Sequence, residues 1–231
     1  MSTCCKVVNA YLKQLARENN NADKPQVFIL PSYTGTLWAN EVYESHMFRK
    51  AVLGMYQHIL MPWCVNNHWV LLVAEVQKRT VGVLDSLNGD NTAIINKFCE
   101  FMMHRGAVTE PDLADCWVKV NLKSSAQKDG CSCGVFVLMN AECVVNGKDP
   151  LVMRQVHADN FREYVRNRLI GEGVPCGTTE CDGLFCRKPR GPSNWIQCDI
   201  CHRWWHRVCG NVDRKLMLEE YFCVICEAQY C

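Results

Sequence analysis

From residue 7 the chain reads VVNAYLKQLARE, and its apolar members recur every three or four positions. Val7, Val8, Tyr11, Leu12, Leu15 and Ala16 therefore share one stripe of a helix, which the polar run of residues 19–21 brings to an end. The period then shortens. QVFIL (26–30), HILMPW (58–63), HWVLLVAEV (68–76), TVGVLDSL (80–87) and CWVKVNL (116–122) are rich in valine and aromatics and predict strands. Between the last two, residues 91–105 return to helical spacing through Ile94, Ile95, Phe98, Met102 and Met103. Residues 135–146 are apolar almost all round, which predicts a central, buried helix ending at Gly147. A last helix is expected over roughly 155–169.

Beyond residue 170 the texture changes. GEGVPCGTT (171–179) carries three glycines and a proline and predicts a linker. Residues 180–231 hold cysteines, tryptophans and basic turns with little periodicity. There are no internal repeats. The chain therefore divides into a domain over 1–170, a linker over 171–179 and a small unit over 180–231.

Composition narrows the classes. Of the 231 residues, 48% are hydrophobic and 21% charged, enough for one core and a smaller second unit. A net charge of +1 gives no general drive to wrap nucleic acid. No apolar run approaches the ~20 residues of a membrane span, and the N-terminus lacks an apolar signal-peptide core, so an intracellular protein is expected. Nine of the 17 cysteines fall from Cys176 onward, mostly in pairs near a histidine, a pattern that favours zinc over disulfides. Cys4, Cys5, Cys64, Cys99, Cys116 and Cys143 are expected to be small buried hydrophobes.

Candidate chemistry sits in the first domain. Strands 68–76 and 80–87 are joined by a short polar turn, so a hairpin brings His68 at one end near Asp85 on its partner. A carboxylate beside an imidazole fixes its tautomer and steadies its protonated form. Cys133-Gly134 stands at the mouth of the buried helix, where the helix dipole and free N–H groups favour a thiolate. Gly134 lets a substrate backbone come close. Cys131, in the preceding KDGCS loop, is a second candidate nucleophile, and the residues alone leave both open.

NNHWVLLV, VLDSL and Q-x5-CGVF together resemble the Ulp/SENP cysteine peptidases, which process SUMO and related ubiquitin-like modifiers. VVNAYLKQLA is similar to that family's first helix, and the resemblance covers roughly residues 5–170. It implies an α+β fold of the papain-like class. It also implies His68 as the base, Asp85 as its orienter, Gln127 as an oxyanion donor and Cys133, six residues after Gln127, as the nucleophile. Trp69 would wall a narrow slot for a C-terminal Gly-Gly. Two positions depart from the pattern: Ser2 stands where the family has a tryptophan, and Ser132 where it has an aspartate before the nucleophile.

In the tail the potential ligands fall in pairs, Cys181/Cys186, Cys198/Cys201, His206/Cys209 and Cys223/Cys226, enough for two tetrahedral zinc ions. A unit this small would draw most of its folding free energy from the metal. The order of ligands, the CDIC pair and the WWH at 204–206 resemble a PHD finger. That resemblance implies crossed pairing: Cys181, Cys186, His206 and Cys209 on one Zn2+, Cys198, Cys201, Cys223 and Cys226 on the other. The first pair is more widely spaced than usual, and Cys176 is an alternative to Cys181; His202 fits less well. A RING-type ligase module is disfavoured by the tryptophan before His206. PHD fingers commonly read the histone H3 tail, and by that likeness Trp195 and Trp204 would form cage walls and Asp199 would pair with a tail arginine.

The expectation is a nuclear protein: a peptidase acting on SUMO or a related modifier, tethered to a finger that holds it on chromatin. The competing expectation is an inactive peptidase-fold scaffold whose finger is the functional part, favoured by Ser2 and Ser132 and disfavoured by the intact set His68, Asp85, Gln127 and Cys133.

Overall fold

The computed structural model describes residues 3–20, 26–43, 48, 50–114, 117–171, 195–199, 204–207, 212 and 221–222. The chain forms two compact units, one of Gln14–Phe161 and one of Met1–Lys13 with Arg162–Cys231. The helices α1 (Thr3–Asn19) and α5 (Ala158–Gly171) each run across a boundary between them. Among the described residues no helix is long and apolar enough to cross a membrane.

The larger unit is built on five strands, β1 (Val27–Ile29), β2 (His58–Val65), β3 (His68–Glu75), β4 (Thr80–Leu84) and β5 (Val118–Lys119), in that spatial order. β1 runs parallel to β2 and β5 parallel to β4, while β2, β3 and β4 form an antiparallel meander. β2 and β3 join through two residues, Asn66 and Asn67, at φ of +50° and +61°. Asparagine tolerates this left-handed backbone, which matches the twist of a two-residue hairpin. The turn therefore fixes where β3 begins, and it begins at His68.

β3 is apolar from Trp69 to Ala74 because both of its faces are covered. Val70, Leu72 and Ala74 join a core with Ile59, Met61 and Trp63 of β2, Val81 and Val83 of β4, Ile94, Phe98, Phe101 and Met102 of α3 (Thr92–Gly106), and Trp38 of α2 (Tyr33–Ala39). Trp69, Leu71 and Val73 point the other way, where α4 (Cys133–Val145) lies against β3. Gly35 lets α2 seat on β2: a Cβ there would stand 2.8 Å from the Trp63 ring. α4 buries Phe136, Val137, Leu138, Met139, Asn140, Ala141 and Cys143, and the buried Asn140 amide is satisfied by donating to Ser124 Oγ at 2.9 Å.

A buried ion pair closes the far end of α3. Arg105, 1% exposed, donates to Glu110 Oε2 at 2.8 Å and to the Phe48 and Ala51 carbonyls, while Glu110 accepts the Leu53 and Gly54 amides at 3.0 and 2.8 Å. Burial works against the Glu110 charge, but the Gly54 and Leu53 amides and then Arg105 outweigh it and hold its pKa below the usual glutamate value.

In the smaller unit Arg168 lies over the Tyr11 ring at 5.3 Å and donates to the Tyr11 and Tyr164 hydroxyls at 3.0 and 2.7 Å. Two short strands, β6 (Trp195–Gln197) and β7 (Trp204–His206), pair antiparallel.

Several boundaries differ from expectation for physical reasons. The strand expected over 80–87 ends at Leu84, because the Asp85 carboxylate turns the chain by accepting the Leu87 and Gly89 amides. Among the described residues of the strand expected over 116–122, Val118–Lys119 form a strand. The buried helix starts at Cys133 rather than residue 135, and residues 155–157 form a 3-10 turn before α5. α2 was not expected, since YTGTLWA is short and carries glycine and two threonines.

Candidate active site

His68 Nε2 lies 2.6 Å from Asp85 Oδ1. The register pairs Leu71 with Leu84, so a continued strand would set Asp85 opposite Val70 rather than His68. Leaving the strand at Leu84 is what lets the carboxylate reach the imidazole. Asp85 is 6% exposed and fully engaged: Oδ1 also accepts the Leu87 amide at 2.8 Å, and Oδ2 accepts the Gly89 amide at 2.8 Å and Asn91 Nδ2 at 3.0 Å. Burial raises its pKa, but the Leu87 amide, His68, Asn91 and the Gly89 amide together pull it below the usual aspartate value. The pair therefore presents a fixed anion to Nε2 and leaves Nδ1 as the nitrogen available for a thiol.

The next residue fastens the third group. Ser86, 2% exposed, donates its hydroxyl to Gln127 Oε1 at 2.6 Å, and its carbonyl accepts the Gln127 amide at 3.0 Å. The Asp129 carbonyl, which can only accept, fixes which end of the Gln127 amide is nitrogen. Nε2 donates one hydrogen to the Asp129 carbonyl at 2.6 Å and keeps the other.

Cys133 is the first residue of α4 and 8% exposed, whereas Cys131 is exposed. Ser132, at the N-cap, has its hydroxyl turned to Asp129 Oδ2 at 2.6 Å instead of capping its own helix. Hydrogen bonds and the intervening chain thus connect His68 and Asp85, Ser86 and Gln127, and Gln127, Asp129 and Ser132, one peptide from Cys133. Among the described residues no hydrogen bond joins Cys133 Sγ to the imidazole. Ser86, Asp129 and Gln155 were not singled out from the sequence, and Ser132 entered only as a departure from the family pattern; the hydrogen bonds they make are what tie them to the site.

Trp69 is 5% exposed and pairs across the hairpin with Cys64. In the tail, register places Trp195, Gln197, Trp204 and His206 on one face of the β6–β7 ribbon, and Ile196 and Trp205 on the other, with Trp205 buried. The Trp195 and His206 rings lie 4.0 Å apart, and Trp204 is 36% exposed. Asp199 exchanges backbone and side-chain hydrogen bonds with Tyr221, accepting its amide on Oδ2 at 2.6 Å. Of the expected zinc ligands, Cys198 is fully buried and His206 half-buried; Cys181, Cys186, Cys201, Cys209, Cys223 and Cys226, with Cys176 and His202, lie outside the described residues. With two of eight ligands described, no metal cluster is seen among the described residues.

A thiol at a helix N-terminus, an imidazole locked to a buried carboxylate, and an oriented side-chain amide are the parts of a cysteine peptidase site on a mixed α/β fold. Residues 2–172 match the model of the Ulp1 protease family, C-terminal catalytic domain, and the chain belongs to that family. It is 29% identical over 131 residues, 54% of its length, to Ubiquitin-like-specific protease 1 of Saccharomyces cerevisiae, and it spans a fifth of that relative's length. Among solved structures it is similar to the SUMO protease Ulp1 with its catalytic cysteine oxidised to a sulfenic acid (TM-score 0.63, 21% identity, 72% of this chain and 76% of that one). It is also similar to the Ulp1 protease domain in complex with Smt3, the yeast ortholog of SUMO (TM-score 0.60, 21% identity, 73% and 75%). A third is the Ulp1-like SUMO protease catalytic domain of Chaetomium thermophilum (TM-score 0.54, 20% identity, 72% and 68%). At these identities the structures show a shared fold.

Proposed function

We propose that this chain is a cysteine isopeptidase that cleaves after the C-terminal Gly-Gly of SUMO or a related ubiquitin-like modifier. The observation that carries it is the 2.6 Å contact between His68 Nε2 and the buried Asp85, which leaves Nδ1 to serve a thiol. His68 takes the Cys133 proton; the thiolate attacks the glycine carbonyl. The Cys133 backbone N–H and the remaining Gln127 Nε2 hydrogen meet the oxyanion. The imidazolium, steadied by Asp85, protonates the leaving amine, and water then hydrolyses the thioester with His68 as base. Membership of the Ulp1 family supports this, as does the Smt3 complex of a protein with the same fold.

For the tail we propose a PHD-type finger over 180–231 holding two Zn2+ through the eight paired ligands, with a nuclear location. Buried Cys198 and the ribbon carrying His206 suit that donor set, and the ions would supply the cross-links that fold so small a unit. Trp195 and Trp204 on one ribbon face suit a partial aromatic cage for a histone H3 tail.

The test is cleavage of isopeptide-linked SUMO, ubiquitin and other modifier conjugates by the full chain with zinc present. Cleavage of one modifier class, abolished by Cys133→Ala and by His68→Ala, is expected. A folded chain that cleaves none supports instead the inactive scaffold, with the finger as the functional part.

A further inference from the structure

Four donors converge on one surface carboxylate beside the nucleophile. Asp129 Oδ1 accepts the amides of Cys131 at 3.1 Å and Ser132 at 2.8 Å; Oδ2 accepts Ser132 Oγ at 2.6 Å and Gln155 Nε2 at 2.8 Å. A carboxylate offers about four lone-pair directions, and all are filled. Gln155, from the segment before α5, is itself aligned by accepting the Lys128 amide at 2.8 Å on Oε1, and its Nε2 also lies 3.3 Å from Ser132 Oγ. The fifth contact comes from the Asp129 main chain, whose carbonyl accepts Gln127 Nε2 at 2.6 Å.

We propose that Asp129 is a positioning residue for the oxyanion site, holding the Gln127 amide with its carbonyl and the peptide leading into Cys133 with its carboxylate. The two oxyanion donors come from separate stretches of chain, a side chain at 127 and a backbone N–H at 133. Their spacing is set by the turn between them, and Asp129 is the residue bonded to both sides of that turn. An exposed carboxylate adds little to global stability, but it orders the turn. With its lone pairs occupied by fixed donors, Asp129 has no proton-transfer part. Ser132 in turn spends its hydroxyl on this clamp, so the carboxylate that holds the nucleophile's turn is supplied from three residues upstream.

This rests on the peptidase function proposed above. The test compares wild type with Asp129→Ala, Gln127→Ala and the double variant on a fluorogenic modifier, alongside alkylation of Cys133 by iodoacetamide, which develops no oxyanion. Asp129→Ala is expected to lower kcat about 10- to 100-fold, the order of loss from a small misplacement of catalytic groups, with KM changed less than about 2-fold. Alkylation is expected to stay within about 2-fold of wild type, and the Asp129→Ala loss to shrink when Gln127 is already alanine. Asp129→Asn, which keeps one acceptor oxygen for the amides, is expected to recover part of kcat. A kcat within 2-fold of wild type, or an equal loss in alkylation and turnover, overturns the proposal. Hydrogen exchange of the Cys131 and Ser132 amides needs no substrate: it is expected to quicken about 10-fold in Asp129→Ala, and unchanged exchange overturns the clamp. If wild type turns over no modifier, the peptidase function fails while exchange still decides whether Asp129 orders the turn.

Discussion

Asp85 does two jobs with one carboxylate: it ends β4 by capturing the Leu87 and Gly89 amides, and it holds His68. Asp85→Asn keeps an acceptor but removes the charge that steadies the imidazolium, and a fall in kcat of about a hundredfold or more is expected in steady-state hydrolysis. Its depressed pKa also links to stability. Because the folded value lies below the ordinary 3.8, the stabilisation is complete above the unfolded pKa and is lost as pH falls through the folded one. Glu110 behaves the same way from an ordinary 4.5. Acid unfolding followed by circular dichroism is therefore expected to set in below about pH 4.5, and replacing Glu110 with alanine, which strands buried Arg105, is expected to cost about 3–5 kcal/mol in denaturant unfolding. His68, Asp85, Gln127 and Cys133 could be singled out from the sequence as candidates because their order and spacing match a family pattern. Ser86 and Asp129 could not, since what makes them matter is which atoms they touch across 41 and three residues, respectively.

At the scale of elements, the meander carries the site. Asn66-Asn67 sets the start of β3, and Gly82 lets the 120–122 segment lie on β4: a Cβ at Gly82 would stand 2.6 Å from the Val120 carbonyl and 2.7 Å from Leu122 Cγ. Gly82→Ala is expected to destabilise by about 1–3 kcal/mol, measured by urea unfolding, because backbone has to shift to admit the methyl. β2, β3, α3 and α4 were legible from period and apolar runs because each is long and buried. α2 was not, because its tertiary contact with Trp63 rather than local pattern makes it, and β5, expected over 116–122, is a strand at Val118–Lys119 where it pairs with β4. The His68–Asp85 contact was foreseen from the hairpin, but its route was not: it depends on the strand stopping at Leu84.

For the molecule as a whole, the two kinds of sequence texture carry different forces. The larger unit has a two-sided apolar core around β3, whereas the tail's described residues offer a two-stranded ribbon with Trp205, Cys198 and Tyr221 buried. Native mass spectrometry of the full chain is expected to show two bound Zn2+, and chelation to unfold the tail while leaving the larger unit's thermal transition in place. A metal-free chain whose tail stays folded would contradict the finger. The proposal of zinc rests on the paired spacings, which zinc demands and a sequence displays; what the ribbon face binds is not readable that way, because Trp195 and Trp204 would be equally at home packing or binding.

The proposed function stands or falls with Cys133 as the nucleophile of a modifier-specific peptidase. Its most direct test is to react the zinc-loaded chain with SUMO, ubiquitin and related modifiers bearing a C-terminal electrophile, and to map the adduct by peptide mass spectrometry. One modifier class is expected to be captured on Cys133, with capture kept in Cys131→Ala and lost in Cys133→Ala. An adduct on Cys131, or no capture by a folded chain, would contradict it.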